Sequence, residues 1–229
     1  MARKIGKILK IAPEIDKGFN RDLQGGETTE KVPYIRNGGV NMPGFNRKTR
    51  KIYTKKWYND SMIYLKKANL EDAKKEYELA QKIPAQENGY ENKAYGVSFE
   101  EFVNKTIPRW LDYDKGINLD DGRVPDTCYF LWVDDTPVGI FKLRHYLNDW
   151  LKDNAGHVGY GVAEEYRGHG YATEGLRLII EEARKLPIDT EELYLSVLKN
   201  NPASLKVQQK NGAKIVREDD THYYTRIPL

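Results

Sequence analysis

The stretch that most constrains this chain is residues 162–173, VAEEYRGHGYAT. A period-two run, His157 to Ala163, leads into it, and a helical stripe of Leu176, Ile179, Ile180 and Ala183 leads out. A strand that enters a glycine-bearing loop and opens a helix turns unpaired backbone N–H groups and the positive helix end toward one point, which makes an anion cradle. Gly168 and Gly170 let the backbone approach a phosphate with no side chain between. Arg167 adds a fixed positive charge at the mouth. Taken alone, the two glycines favour an ordinary strand-to-helix turn. Two other nucleotide loops fit less well. A Walker loop needs a Lys-Ser/Thr pair after its last glycine, and none follows here. A dinucleotide fold needs a third glycine where Thr173 stands, and a parallel strand pattern where this chain has hairpins.

The flanking patterns fix a fold class. Ser61 to Lys66 reads as a strand. Asn69 then offers a cap to a helix with Ala73, Tyr77, Ala80 and Ile83 on one face, stopped by Pro84. Ser98 and Glu101 form a capping box for a second helix, expected to bury Phe99, Phe102 and Val103 and to break or end before Pro108, with Trp110 and Leu111 beyond. Thr127 to Val133 and Val138 to Leu147 flank an Asp-Asp-Thr-Pro turn and read as an antiparallel hairpin. His157 to Ala163 is the next strand, Thr173 to Lys185 a helix, and Glu192 to Leu198 a strand. Pro202 to Asn211 is a helix capped by Asn201 and ended by Gly212, and Lys214 to Arg217 with His222 to Ile227 close the chain as strands. The order β-α-α-β-β-β-α-β-α-β-β predicts a mixed, mostly antiparallel α/β sheet with helices on its faces.

Charge divides the chain. Residues 1–56 carry 14 Lys and Arg against 5 Asp and Glu, a net of +9, and residues 57–229 carry a net of -6. The expected organisation is therefore a basic N-terminal extension over 1–56 and an acidic globular body over 57–229. The extension opens with a short amphipathic stretch, Ile5 to Ala12, and is otherwise irregular. It suits either a solvated arm docking on its own acidic body or an anchor to nucleic acid or a partner. Mean hydropathy of -0.74 and the lack of a long apolar run exclude a transmembrane helix. The start, Met1 to Pro13, holds no secretory core, so a cytoplasmic protein is expected. A single cysteine, Cys128, excludes an internal disulfide framework and a cysteine zinc site. His145, His157, His169 and His222 are scattered without ligand spacing, so no metal site is expected.

Arg167-Gly168-His169-Gly170-Tyr171-Ala172 resembles the [QR]-x-x-G-x-[GA] pyrophosphate loop of the GNAT superfamily of acyl-CoA-dependent N-acyltransferases. The likeness extends to Asn201, Ala203 and Ser204, an N-x-A-S pattern, with Gly212 after it. The order of elements over Met62 to Leu229 fits as well. The resemblance is strongest to the ribosomal-protein N-acetyltransferase branch and related predicted acetyltransferases. It implies a GNAT fold whose fourth and fifth strands splay apart to admit the pantetheine arm of acetyl-CoA. It also implies that Val162 pairs with that arm through its backbone and that the amides of Gly168, His169, Gly170, Tyr171, Ala172 and Thr173 hold the pyrophosphate. Asn201 and Ser204 would touch the pantetheine side.

The reaction implied is acetyl transfer from acetyl-CoA to an amine by direct attack in a ternary complex. At pH 7 only about 0.1% of a lysine-like amine is neutral, so a base or a water relay must take its proton. His157 stands near the position of the family's base, and an imidazole suits that work. His145, Glu164 and Glu165 are lesser candidates. Seven residues after Asn201, where many members carry a tyrosine acid, this chain has Gln208, which is no acid. Ser204 or water would then serve, or the thiolate would leave unassisted. Tyr160 and Tyr194 lie on neighbouring strands without an assigned role. The acceptor is an unidentified amine, and a homodimer is possible. The rival reading is a non-catalytic acyl-CoA-binding module tethered by the basic arm.

Overall fold

The computed structural model describes Lys55–Tyr58 by its backbone and residues 61–229 apart from 187 and 189. The amphipathic start and nearly all of the basic extension lie outside the described residues. β1 (Lys55–Tyr58) and β2 (Ser61–Lys67) pair antiparallel, so the sheet takes in the last two residues assigned to the extension. α1 spans Ala73–Ala80, and β3 (Gln86–Glu87) and β4 (Tyr90–Glu91) form a small hairpin. α2 (Phe99–Glu101), a π-helical stretch (Phe102–Thr106) and α3 (Ile107–Lys115) follow one another. β5 (Asp126–Val133), β6 (Thr136–Arg144), α4 (Asp149–Asp153), β7 (Val158–Val162) and a 3-10 turn (Glu164–Tyr166) lead to α5 (Tyr171–Ala183). β8 (Glu192–Leu198), α6 (Pro202–Lys210), β9 (Lys214–Glu218) and β10 (His222–Pro228) complete the chain.

Besides the β3–β4 hairpin, two larger sheets result, in the orders β1-β2-β5-β6-β7 and β8-β10-β9. They meet at one bridge, Gly156 with Leu195, and diverge from there. β7 and β8 are the splayed strands that the sequence led us to expect. Alternation along β5 and β6 builds a core on each face of the larger sheet. Tyr129, Leu131, Phe141 and Leu143 pack under α5, whose Leu176, Ile179, Ile180 and Ala183 are all buried as the helical stripe predicted. Phe130, Trp132 and Ile140 face the other way, toward Leu79 and Ala80 of α1 and Ile107 and Trp110 of α3. Gly175 sets the approach of α5, because a Cβ there would lie 2.2 Å from the Phe141 ring.

Some local expectations change. The second helix is interrupted before Pro108, as expected, but it does not end there. The π-helical stretch shifts the hydrogen-bond pattern just ahead of the proline, so its missing N–H interrupts no regular ladder. Phe99, expected inside, is exposed, while Phe102 is fully buried. Ser98 caps the helix through Glu101 N–H at 3.1 Å, but the Glu101 carboxylate turns to Lys105 instead of reaching back. The β3–β4 hairpin was not foreseen, since two-residue strands carry no periodicity to read.

Candidate functional site

Gly168 and Gly170 both adopt positive φ, 82° and 81°, on either side of His169. That conformation is costly for any residue with a Cβ, which is why the loop needs glycine at both places. A Cβ built at Gly168 would meet nothing within 4 Å, so the space above the loop is open. Gly170 is the N-cap of α5 and supplies no side-chain cap. The first amides of α5, from Tyr171 to Thr173, have no carbonyl within the helix to bond. The His169 and Tyr171 rings stack beside them with centroids 5.5 Å apart.

Arg167 does not stand free at the mouth. Its Nε donates to Val162 O at 3.0 Å, and its two terminal nitrogens fork onto the Glu87 carboxylate of β3. The same hairpin reaches the far side of the gap, where Asn201 Nδ2 donates to Asn88 O at 3.3 Å. The β3–β4 hairpin thus spans from the loop before α5 to the cap of α6.

The open edge of β7 faces the gap. Ala163 N–H donates to Val138 O on the β6 side, and strand alternation turns the amides of Tyr160 and Val162 the opposite way. Val162 itself is nearly buried at the end of the strand. Across the gap, Asn201 caps α6 by accepting Ser204 N–H at 3.0 Å. Ser204 Oγ lies 2.7 Å from the Tyr160 hydroxyl, so a side-chain pair bridges β7 to α6. Burial pushes the Tyr160 phenol up to about 12, even with Ser204 and Gln208 favouring its charged form, so it keeps its proton and is able to donate. Gln208 is buried and occupied, accepting from the Thr225 hydroxyl at 2.7 Å. A tyrosine hydroxyl therefore does reach this side of α6, delivered by β7. Sequence offset within α6 alone had no means of locating it.

His157 sits at the bridge between the two sheets and is 1% exposed. Its N–H donates to Tyr194 O at 2.6 Å, and its Nδ1 accepts Tyr194 N–H at 3.0 Å. The Nδ1 lone pair is thus committed to a backbone donor, which leaves the proton of a neutral ring on Nε2. His145 lies elsewhere, 2.8 Å from Thr127 Oγ1, and burial lowers its affinity for a proton. Glu164 and Glu165 are exposed, and Glu165 pairs with Lys82 at 2.6 Å.

On the opposite face of β6 and β7 is a cavity of about 180 Å³. Ile140 and Lys142 of β6 form part of its floor, and Tyr90, Trp110 and Tyr113 part of its walls. Ile140 and Lys142 pair with Gly161 and Gly159 of β7. These glycines put no side chain on that face, and a Cβ at Gly161 would come within 2.8 Å of the Tyr90 ring. Among the described residues, no cluster of His, Cys, Asp and Glu is placed to hold a metal, and no helix is long and apolar enough to cross a membrane.

Comparison with known proteins gives the same picture. A family model described as acetyltransferase (GNAT) domain matches residues 56–214. The GNAT domain of an S. lividans protein named PAT superposes with a TM-score of 0.55 at 14% identity, covering 77% of this chain and 97% of that one. RimL, a ribosomal L7/L12 alpha-N-protein acetyltransferase solved with coenzyme A, superposes with a TM-score of 0.53 at 15% identity, covering 73% of this chain and 94% of that one. The microcin C7 self-immunity acetyltransferase MccE, solved with acetyl-CoA and AMP, gives 0.51 at 13% identity, with 73% and 92% covered. No curated protein matches the sequence.

Proposed function

The chain belongs to the acetyltransferase (GNAT) domain family, and from that premise we propose that it transfers an acetyl group from acetyl-CoA to a primary amine by direct attack in a ternary complex. The observation that carries this reading is the coincidence of two open backbone surfaces. One is the α5 N-terminus behind two positive-φ glycines, and the other is the unpaired β7 edge at Tyr160 and Val162.

The residues fit an acyl-CoA. The amides of residues 168–173 take the pyrophosphate, where helix end and loop N–H groups favour negative charge. The edge amides of β7 take the pantetheine arm as an added strand. The thioester supplies an activated acyl group. Asn201 orders the first turn of α6 and so places Ser204 beside the arm. The Ser204 and Tyr160 hydroxyls supply hydrogen bonds to sulfur as its charge develops, a task for a donor that stays protonated.

The attacking amine must lose a proton, and His157 is the proposed acceptor or the group that orders one. Its geometry gives it a second duty. Proton uptake at Nδ1 would break the bond from Tyr194, so the β7–β8 bridge and the protonation of His157 are linked. His157→Ala separates the two. Loss of a base lowers kcat by ~10²–10⁴ with acetyl-CoA affinity kept, whereas loss of the bridge alone lowers thermal stability and leaves turnover within a few fold.

The reading as a whole is tested by thermal-shift titration with acetyl-CoA, followed by detection of free thiol with a panel of amines. Binding at 100 times Kd stabilises the fold by about 2.7 kcal/mol. No stabilisation at millimolar acetyl-CoA overturns the reading. Stabilisation without turnover on any amine would favour a binding module.

A further inference from the structure

The cavity over β6 and β7 has an unbalanced charge. Acidic and basic side chains both line it, and most are matched. Glu91 lies 3.7 Å from Lys93 and Glu101 lies 3.5 Å from Lys105, while Asp120 accepts the neutral Tyr113 hydroxyl at 2.6 Å and so keeps a negative charge in the field of Arg109 and Arg123. Arg123 pairs with Asp126 at 3.0 Å and lies over the Tyr113 ring. Two cations remain. Lys142, in the floor, and Arg109, at the exposed side of α3, have no hydrogen-bond or ion-pair partner among the described residues. The surplus is thus positive and on the cavity side of the sheet.

Lys142 is the more telling of the two. It stands in the central part of the sheet, between Cys128 of β5 and Gly159 of β7. Burial pushes its ammonium below the usual lysine range, against the pull of the Asp126 carboxylate. An enclosed, unmatched cation costs stability, and an apolar residue in its place would not. Its neighbour Gly159 places it one residue from Tyr160, whose amide faces the gap between the sheets. The cation and the proposed acyl site therefore lie at one level of β7, on opposite faces.

We propose that this cavity is the acceptor site and that it takes a small primary amine carrying an anionic group, with Lys142 and Arg109 holding the anion. This rests on the acetyl-transfer reading above for which group reacts. The anion preference rests on the unmatched cations alone. Size limits the guest. At about 180 Å³ the cavity is smaller than the ~300–1,000 Å³ of drug-sized pockets. Tyr90, Trp110 and Tyr113 give it an aromatic wall for a short carbon chain. The two anion sources, carboxylate and phosphate, differ in charge and geometry, and Arg109 can fork onto either.

The test uses the full chain saturated with coenzyme A, so that nothing turns over, and calorimetric titration of four probes. β-Alanine and phosphoethanolamine carry an anion, and β-alaninamide and butylamine do not. The expected result is that a probe carrying an anion binds at least tenfold more tightly than its counterpart without one, an effect of about 1.4 kcal/mol. Tighter binding of phosphoethanolamine than of β-alanine would identify phosphate as the preferred source. Lys142→Met should remove the preference while leaving coenzyme A affinity within twofold and the melting temperature unchanged or higher. Arg109→Gln, at an exposed position, should weaken the preference without a folding effect. Equal affinity for probes with and without an anionic group, or a preference that survives in both variants, overturns the proposal. The donor reading fails separately, by loss of coenzyme A binding.

Discussion

The two faces of the β6–β7 pair are built from different materials. On the face under α5 and along the open edge, the groups proposed to hold the cofactor are mostly main-chain ones: the amides of residues 168–173 and the edge of β7. On the other face, the cavity is made of side chains from β4, α3, β5 and β6, and its character depends on which charges find partners. A backbone site needs only a local conformation, which two glycines specify. A side-chain site needs several elements to arrive together. The first kind is sensitive to glycine and tolerant of neighbouring charge changes, and the second behaves in the opposite way.

The largest expected effect breaks the backbone side. Gly170→Glu puts a carboxylate and a Cβ at a position of positive φ, in the loop proposed to hold the pyrophosphate. Acetyl-CoA affinity should fall beyond detection, more than 100-fold, while circular dichroism shows a folded protein. Retained affinity would mean that the loop is not the anion site. Gly156→Ala comes next. Its Cβ would lie 2.1 Å from Tyr194 O, a backbone atom that cannot swing aside, and φ there is positive. Destabilisation of about 2–3 kcal/mol is expected from overpacking and strain. In a domain of this size that is roughly a 5–10 °C loss in melting temperature. A neutral effect would show that the bridge does not hold the two sheets together.

The cavity side responds to pH instead. Glu76 of α1 is fully buried, and burial pushes its carboxyl up to about 8 from an ordinary 4.5. Between those values the folded protein holds a proton that the unfolded chain has lost, so stability declines as pH rises through the window. The slope is at most about 1.4 kcal/mol per pH unit. Glu76→Gln should flatten it, as read by urea melts at pH 5 and pH 8, and an unchanged slope would assign it to other groups.

The smallest effect tests the link between the two sides. Glu87→Gln releases Arg167 from its carboxylate partner. Both side chains are partly exposed, so the pair is worth less than about 1 kcal/mol. Acetyl-CoA affinity should rise by no more than about fivefold, with a steeper salt dependence, because the freed Arg167 adds a screenable attraction to the anion. A loss of affinity would instead give Glu87 a part in ordering the loop.

The sequence alone determined the periodic elements and the glycine loop. The α5 stripe, the β5–β6 hairpin and the two sheet-closing strands are local patterns, and the two αL glycines announce a backbone conformation that no other residue adopts cheaply. Asn201 was legible as a cap because capping acts over three residues. Only the tertiary structure decided which side chains share a site. Tyr160 meets Ser204 across 44 positions. Tyr194 lies 37 positions from the His157 ring whose lone pair it occupies. Lys142 has no ion-pair partner among the described residues because the Asp126 carboxylate that pulls on it is paired with Arg123. Hydrogen bonding and charge pairing of this kind are settled by distances in space, and no spacing along the chain encodes them.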